Sequence, residues 1–303
     1  MIEIPQIVLE RIGVAWGERT VANSSFPRAM TEATGFCRRR LASPGTGLFD
    51  LALRAAHAAL GGRDARGIGA VVAATYSNPE RFPPLAVRLA GELGLGSAVP
   101  ALDLQMACCA YPYALYVAGR LATDLGASVL VIDGDVQSPF VNGEDAATAP
   151  LFSDAATATV VSSSGDGAVS RVAFLTRSSD ALVCPAAGPI RMDGFGVFSF
   201  VAKDVVEFLK PFGSDHDLFV PHQANAYMIR QLARSLGLEE RLATATGDGN
   251  PGSCSIPVAL ARAGRPGRAL LAGFGAGLAA AAATVRIANG FSASEERLNE
   301  SEN

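Results

Sequence analysis

A single tryptophan, three histidines and five cysteines stand among 303 residues, so candidates for nucleophilic, acid–base or metal chemistry are few. The cysteines, Cys37, Cys108, Cys109, Cys184 and Cys254, are odd in number and lack the paired spacing of a zinc site or a disulfide framework. A reducing, cytoplasmic compartment is therefore expected. Cationic excess is missing too. With 25 Lys and Arg against 29 Asp and Glu, the net charge is -4, and no broad basic field would draw the chain to nucleic acid or an anionic membrane. The run Arg38, Arg39, Arg40 is a local exception, read as a solvated face or a contact for an acidic carrier. The opening MIEIPQIVLERIG has no signal-peptide layout. The most apolar stretch, residues 269 to 285, has about the minimum length of a membrane span and is interrupted by Gly273, Gly275 and Gly277. Two buried strands around a glycine loop are expected there.

What is present in quantity is alanine, glycine and periodicity. Apolar residues make up 49% and charged residues 18%, which suits helices packed densely on sheets. From Leu48 the pattern runs helix, strand, helix, strand, helix, strand, strand, ending in DAATATVVS. The same order begins again at Gly194, with HDLFVP, LATAT, RALLAG and LAAAAATVRI as its strands. An α/β fold of two similar halves follows, with helices on both faces of the sheets. The halves are placed at 1–165 and 166–288, with 289–303 a polar tail expected to be disordered.

In open α/β sheets ligands collect at the carboxyl ends of the strands. Three reactive residues fall at such ends. Cys108 follows the strand ALDLQ and opens a helix whose first turn contains Pro112, so its thiol sits at the positive end of a helix dipole that favours thiolate. Cys109, one step inside the helix, is the weaker candidate nucleophile. His222 closes DLFVP just before another helix, whereas His57 and His216 are read as structural or solvated. Asn250 lies in GDGNPGSCS. If a pseudo-twofold axis relates the halves, the three converge. An imidazole and a side-chain amide donating to one oxygen would stabilise an enolate or oxyanion.

At these residues the sequence resembles the ketoacyl-acyl-carrier-protein synthase III branch of the thiolase fold. VPHQAN (220–225) matches its histidine motif and DLQMAC (103–108) its nucleophile segment, while GNPGSCSIP and GFGAG resemble its asparagine motif and glycine loop. The resemblance implies a layered αβαβα core and a cytoplasmic homodimer that works with acyl carrier protein. It implies no cofactor beyond acyl-CoA or acyl-carrier-protein thioester substrates, and no metal. Cys108 would take the acyl group, with the oxyanion held by the N–H groups of Cys108 and Ala276. His222 and Asn250 would then promote decarboxylative condensation with a malonyl-type thioester. Asn225 would support the His222 loop, and Phe82 in ERFPP would reach into the acyl pocket of the other subunit.

Departures from the branch are also legible. Ala29 stands where the branch has a tryptophan, Cys37 where it has an arginine, and residues 137 to 150 contain no arginine. In the branch these positions grip the coenzyme A nucleotide. A specialised relative in secondary metabolism is expected. An acyltransferase of the same fold that forms an ester or amide without decarboxylation shares every residue named, and a non-catalytic subunit of a heterodimer would be expected to have lost the triad. A dinucleotide-dependent oxidoreductase is disfavoured, because GFGAG joins two strands instead of opening a helix.

Overall fold

Residues 1–62 and 65–296 are described by a computed structural model. The first half contains β1 (Ile2–Pro5), β2 (Ile7–Trp16) and a small ribbon of β3 (Arg19–Ala22) and β4 (Arg38–Leu41) around a short helix, α1 (Arg28–Thr34). It continues through α2 (Leu48–Leu60), β5 (Ile68–Ala74), α3 (Leu85–Glu92), β6 (Ala101–Leu104), α4 (Ala110–Leu125), β7 (Ser128–Asp135) and β8 (Ala155–Ser163). The second half opens with β9 (Val169–Thr176) and a two-stranded flap of β10 (Leu182–Val183) and β11 (Arg191–Met192). There follow α5 (Gly194–Phe200), α6 (Val206–Leu209), β12 (Leu218–Pro221), α7 (Ala226–Leu236), α8 (Ser255–Ala263), β13 (Gly267–Gly275) and β14 (Ala279–Glu295).

Strand order shows the duplication. The first half runs β6-β5-β7-β8-β2 and the second β12-β13-β14-β9-β1, with β8 and β14 antiparallel to both of their neighbours within their own halves. Parallel pairing of β14 with β2 joins the two into one ten-stranded sheet.

Side-chain alternation on the strands then builds five layers. On β7, Val129 and Val131 face a central core with α4 and α8, while Leu130 and Ile132 face α2 and α3. On β13, Ala269 and Leu271 face the central core, and Leu270 and Ala272 face α5, α6 and α7. This is the expected αβαβα arrangement. The helix ends follow local chemistry. Asp50 accepts from the Gly47 N–H at the start of α2, and Gly61, Gly126 and Gly237 take left-handed φ to end α2, α4 and α7.

Three expectations need correction. LATAT forms no strand. It contributes one isolated bridge, Phe219 with Leu242, and the Ala245 N–H is taken by the Gln223 side chain instead of by a strand. The tail is not disordered from 289 onward, because β14 continues to Glu295 and pairs Ser292–Glu295 with Arg11–Val14. There Glu295 accepts from Trp16 Nε1 and from Arg262, which anchors it to both halves; residues 297–303 lie outside the described residues. The arginine triplet is not an open face. Arg38 bonds Asp248, Arg39 bonds Asn23 and the Ala149 carbonyl, and Arg40 bonds the Gly17 carbonyl, so all three tie β4 to neighbouring segments.

Candidate active site

The end of β6 leads into a tight helical turn at Ala107–Cys109, and α4 starts one residue later. Ala107 there has φ of 44°, a left-handed conformation that costs energy for a residue with a Cβ and that turns the chain sharply at the nucleophile. Cys108 is half-buried and lines two cavities, whereas Cys109 is fully buried and directs its Sγ to the Ala279 carbonyl. The preference for Cys108 over Cys109 follows from that difference in access.

Backbone N–H groups of Ala276 and of Cys108 itself lie near enough to the Cys108 sulfur to lower its pKa. The glycine loop makes this approach possible. A Cβ on Gly275 would lie 2.9 Å from the Cys108 Cβ and 3.2 Å from Sγ, and Gly275 has φ of 153°. The thiol is not the low-pKa group that the helix dipole suggests. Burial, together with Asp135 and Asp133, pushes it up to about 12 against the lowering by the two N–H groups. At neutral pH the candidate nucleophile is a thiol.

His222 follows β12. Its N–H is bound by the Ala272 carbonyl, its ring meets Phe274 edge to face at 5.5 Å, and its Nδ1 lies 2.7 Å from Ser255 Oγ. Ser255 Oγ accepts from the Gln223 N–H and still has its single proton to give to Nδ1; in the tautomer where it does so, His222 carries its own proton on Nε2. Burial lowers the His222 pKa to about 3, which keeps the imidazole neutral at working pH. Asn250 is held by the first half of the chain: its N–H goes to the Leu151 carbonyl, and its carbonyl accepts from Ser153 N and Gln137 Nε2. Its Oδ1 takes the Gly252 N–H, which turns Nδ2 toward His222 Nε2 at 3.5 Å. With the His222 proton on Nε2 both groups are donors and cannot bond one another. They converge on a place where an oxygen belongs.

Cys108, His222 and Asn250 share a cavity of about 120 Å³ with Phe274 and Met192. On its other side Cys108 opens, with Ala276, into a cavity of about 540 Å³. A groove of about 630 Å³ beside Glu3, Thr123 and Ser163 holds none of the candidate residues.

Asn225 lines the smaller cavity and caps α7, its Oδ1 accepting the Met228 N–H. The His222 loop is tied chiefly by Gln223, which bonds the Pro221 and Ala243 carbonyls and the Ala245 N–H. Phe82 is 83% exposed and lines neither cavity of its own chain.

Sequence reasoning missed Ser255, Gln223 and the carboxyl pair behind the nucleophile. A hydroxyl opening α8 was the one local signal for Ser255. Asp135 accepts from Thr75 Oγ1, the Tyr76 N–H and both Ser253 N and Oγ. Ser253 thus gives its one proton to Asp135, and among the described residues neither Asp133 oxygen has a partner. Burial, with Asp135 nearby, pushes the Asp133 pKa well up.

A duplicated, five-layered fold with a cysteine at a strand-to-helix turn, backbone donors on its sulfur and an imidazole–amide pair opposite defines an enzyme of thioester acyl transfer. Family models agree: 3-oxoacyl-[acyl-carrier-protein] synthase III over residues 102–179 and its C-terminal domain over residues 213–287. The beta-ketoacyl-[acyl-carrier-protein] synthase III of Neisseria meningitidis serogroup B is 32% identical over 279 residues, which cover 82% of this chain and 87% of that protein. A 3-oxoacyl-(acyl-carrier protein) synthase from Burkholderia xenovorans superposes with a TM-score of 0.90 at 26% identity, covering 97% of this chain and 98% of that one. The priming β-ketosynthase of the R1128 polyketide pathway superposes at 0.85 with 28% identity, covering 94% and 98%. The chain belongs to the ketoacyl-acyl-carrier-protein synthase III family of acyl-transferring condensing enzymes.

Proposed function

We propose that this chain joins an acyl group carried on Cys108 to a malonyl-type thioester with loss of carbon dioxide. The observation that carries the reading is the 3.5 Å approach of His222 Nε2 and Asn250 Nδ2 in the cavity that also holds Cys108.

In the first half-reaction the Cys108 sulfur attacks the thioester carbonyl while the N–H groups of Cys108 and Ala276 receive the oxyanion. The Cys108 proton goes to the departing thiolate, because His222 already holds its proton on Nε2. The second thioester then places its carbonyl oxygen between His222 and Asn250. Cleavage of the carboxylate carbon–carbon bond releases carbon dioxide, and the resulting enolate is stabilised by the two donors. Its carbon attacks the acyl-enzyme, and the Cys108 sulfur leaves and is reprotonated from solvent.

Several finer features belong to the same proposal. The acyl group arrives on a carrier protein, since the exposed Ala29 and Cys37 offer neither a ring nor a cation to a coenzyme A nucleotide, and residues 137–150 hold no arginine. Exposed Phe82 supports a homodimer in which each chain closes the larger cavity of the other. The five free cysteines support a cytoplasmic setting, and no described helix is long and apolar enough to cross a membrane. Likeness to a polyketide priming enzyme supports a place in secondary metabolism. The reaction needs no cofactor or metal beyond its thioesters.

Release of labelled carbon dioxide from a malonyl thioester by pre-acylated enzyme tests the reading. Transfer of the acyl group to a hydroxyl or amine without release would establish the acyltransferase alternative instead. Calorimetry with free coenzyme A checks the donor: weak binding is expected, and tight binding would reject the carrier-protein assignment.

A further inference from the structure

The condensing reading leaves open what Cys108 carries, and the larger cavity bears on that. Because Cys108 and Ala276 both line it, an acyl group whose oxygen sits on their N–H groups has this space before it. Its walls are Tyr76, Phe140 and Phe152 with Leu182, Val183 and Ile190. The Tyr76 and Phe140 rings lie 6.3 Å apart and tilted by 47°.

Polar groups in the interior wall are already used. The Tyr76 hydroxyl donates to Gln137 Oε1 at 2.8 Å, and Gln137 Nε2 donates to the Ser153 and Asn250 carbonyls. Two further amides, Asn78 and Gln105, belong to the lining; Gln105 is exposed to solvent and Asn78 is half-buried on the loop after β5. Burial and Asp135 raise the Tyr76 pKa, which keeps the phenol neutral. Among the described residues no cation lines the cavity.

Size decides between small and large acyl groups. At about 30 Å³ for a water-sized group, the 540 Å³ cavity holds on the order of eighteen such groups. An aromatic ring from a second copy, closing the mouth, removes roughly six of these and leaves roughly twelve. An acetyl group would leave most of that space to water, and water is stable in a cavity only with two to four polar partners. Here the buried side-chain donors are taken.

We propose that the larger cavity selects a neutral, apolar acyl group of medium length, roughly six to ten carbons, over both acetyl and carboxylate-bearing acyl groups. The inference rests on the condensing reading. Each buried methylene contributes about fourfold to the preference until the cavity is filled.

The test is the rate at which Cys108 gains acyl mass from N-acetylcysteamine thioesters, which carry neither nucleotide nor carrier protein. Octanoyl is expected to load with a kcat/KM at least tenfold above acetyl, and the adipoyl monothioester no faster than acetyl. Filling the cavity from an exposed position with Ala186→Trp, or from its wall with Val183→Trp, should lower the octanoyl-to-acetyl ratio at least tenfold. An octanoyl-to-acetyl ratio below ten, fast adipoyl loading, or a ratio unmoved by folded Ala186→Trp overturns the inference while leaving condensation intact. Failure of Cys108 to load from any thioester overturns the condensing reading, and this inference with it.

Discussion

Ser255 Oγ lies 2.7 Å from His222 Nδ1 and, by accepting from the Gln223 N–H, is left to donate to the imidazole. A proton donated by Ser255 to Nδ1 holds the imidazole proton on Nε2. With Ser255→Ala the tautomer is no longer imposed, and some molecules will carry the proton on Nδ1, where it cannot reach a substrate oxygen. Condensation by pre-acylated enzyme should slow by roughly tenfold or more, the scale of a weakened catalytic donor, with acyl loading less affected. Nitrogen-15 NMR of the His222 ring reads the tautomer directly, and an unchanged spectrum together with an unchanged rate would remove Ser255 from the mechanism.

Asn250 acts, in this reading, only when charge grows on the second substrate. Asn250→Ala should leave loading of Cys108 in place and slow the following step by about a hundredfold or more. Single-turnover measurements on isolated acyl-enzyme separate the two steps. If the variant condenses at the parent rate, the donor pair is not the catalytic device.

The buried thiol has a pH signature. With its pKa at about 12, the Cys108 thiolate fraction climbs about tenfold per pH unit throughout the neutral range. Iodoacetamide alkylation, mapped to Cys108 and not to Cys109, should therefore accelerate steadily from pH 7 to 10. His222, with its pKa lowered to about 3, should add no inflection between pH 5 and 8. A plateau near pH 7 to 8 would mean that the helix dipole outweighs burial.

Asp133 should impose a stability cost that grows with pH. Its pKa is raised in the folded protein by burial, whereas the unfolded chain ionises near the ordinary aspartate value of about 4. Below that value both states hold the proton and the cost is absent. As pH rises above it, the unfolded state releases the proton first, and stability falls until the folded-state pKa is passed. Replacing the carboxyl by a neutral amide in Asp133→Asn removes this dependence. The variant's advantage in Tm over the parent should widen between pH 5 and pH 8, and a constant difference across that range would contradict the buried, protonated carboxyl.

How far the site was legible depends on the range of the interactions that make it. Cys108 could be located because a strand end, a turn and a proline-tolerant first helical turn are local patterns, and His222 because it closes one apolar run and precedes the next helix. The repeated order of helices and strands placed both at the same edge of the fold. Ala276 as a candidate oxyanion donor and Phe82 as a candidate gate to the partner's acyl pocket came through family likeness, since neither backbone N–H direction nor a subunit contact is written in a short segment.

Misjudged features share a cause. LATAT has strand composition, but Gln223 captures its N–H. The arginine triplet looks solvated until Asp248, Asn23 and two distant carbonyls reach it, and the last part of β14 looks like a frayed tail until β2, Trp16 and Arg262 hold it. By itself the sequence determined most of the element order, the duplication and the choice of Cys108, His222 and Asn250 as candidates, because periodicity and turn chemistry act over a few residues. Tertiary structure alone decided the resting thiol, the Ser255 contact to His222, the burial of Asp133 and the two cavities. Burial, a 2.7 Å contact to Ser255 and the free space around a sulfur are set by how the two halves close on one another, and that closure has no local signature.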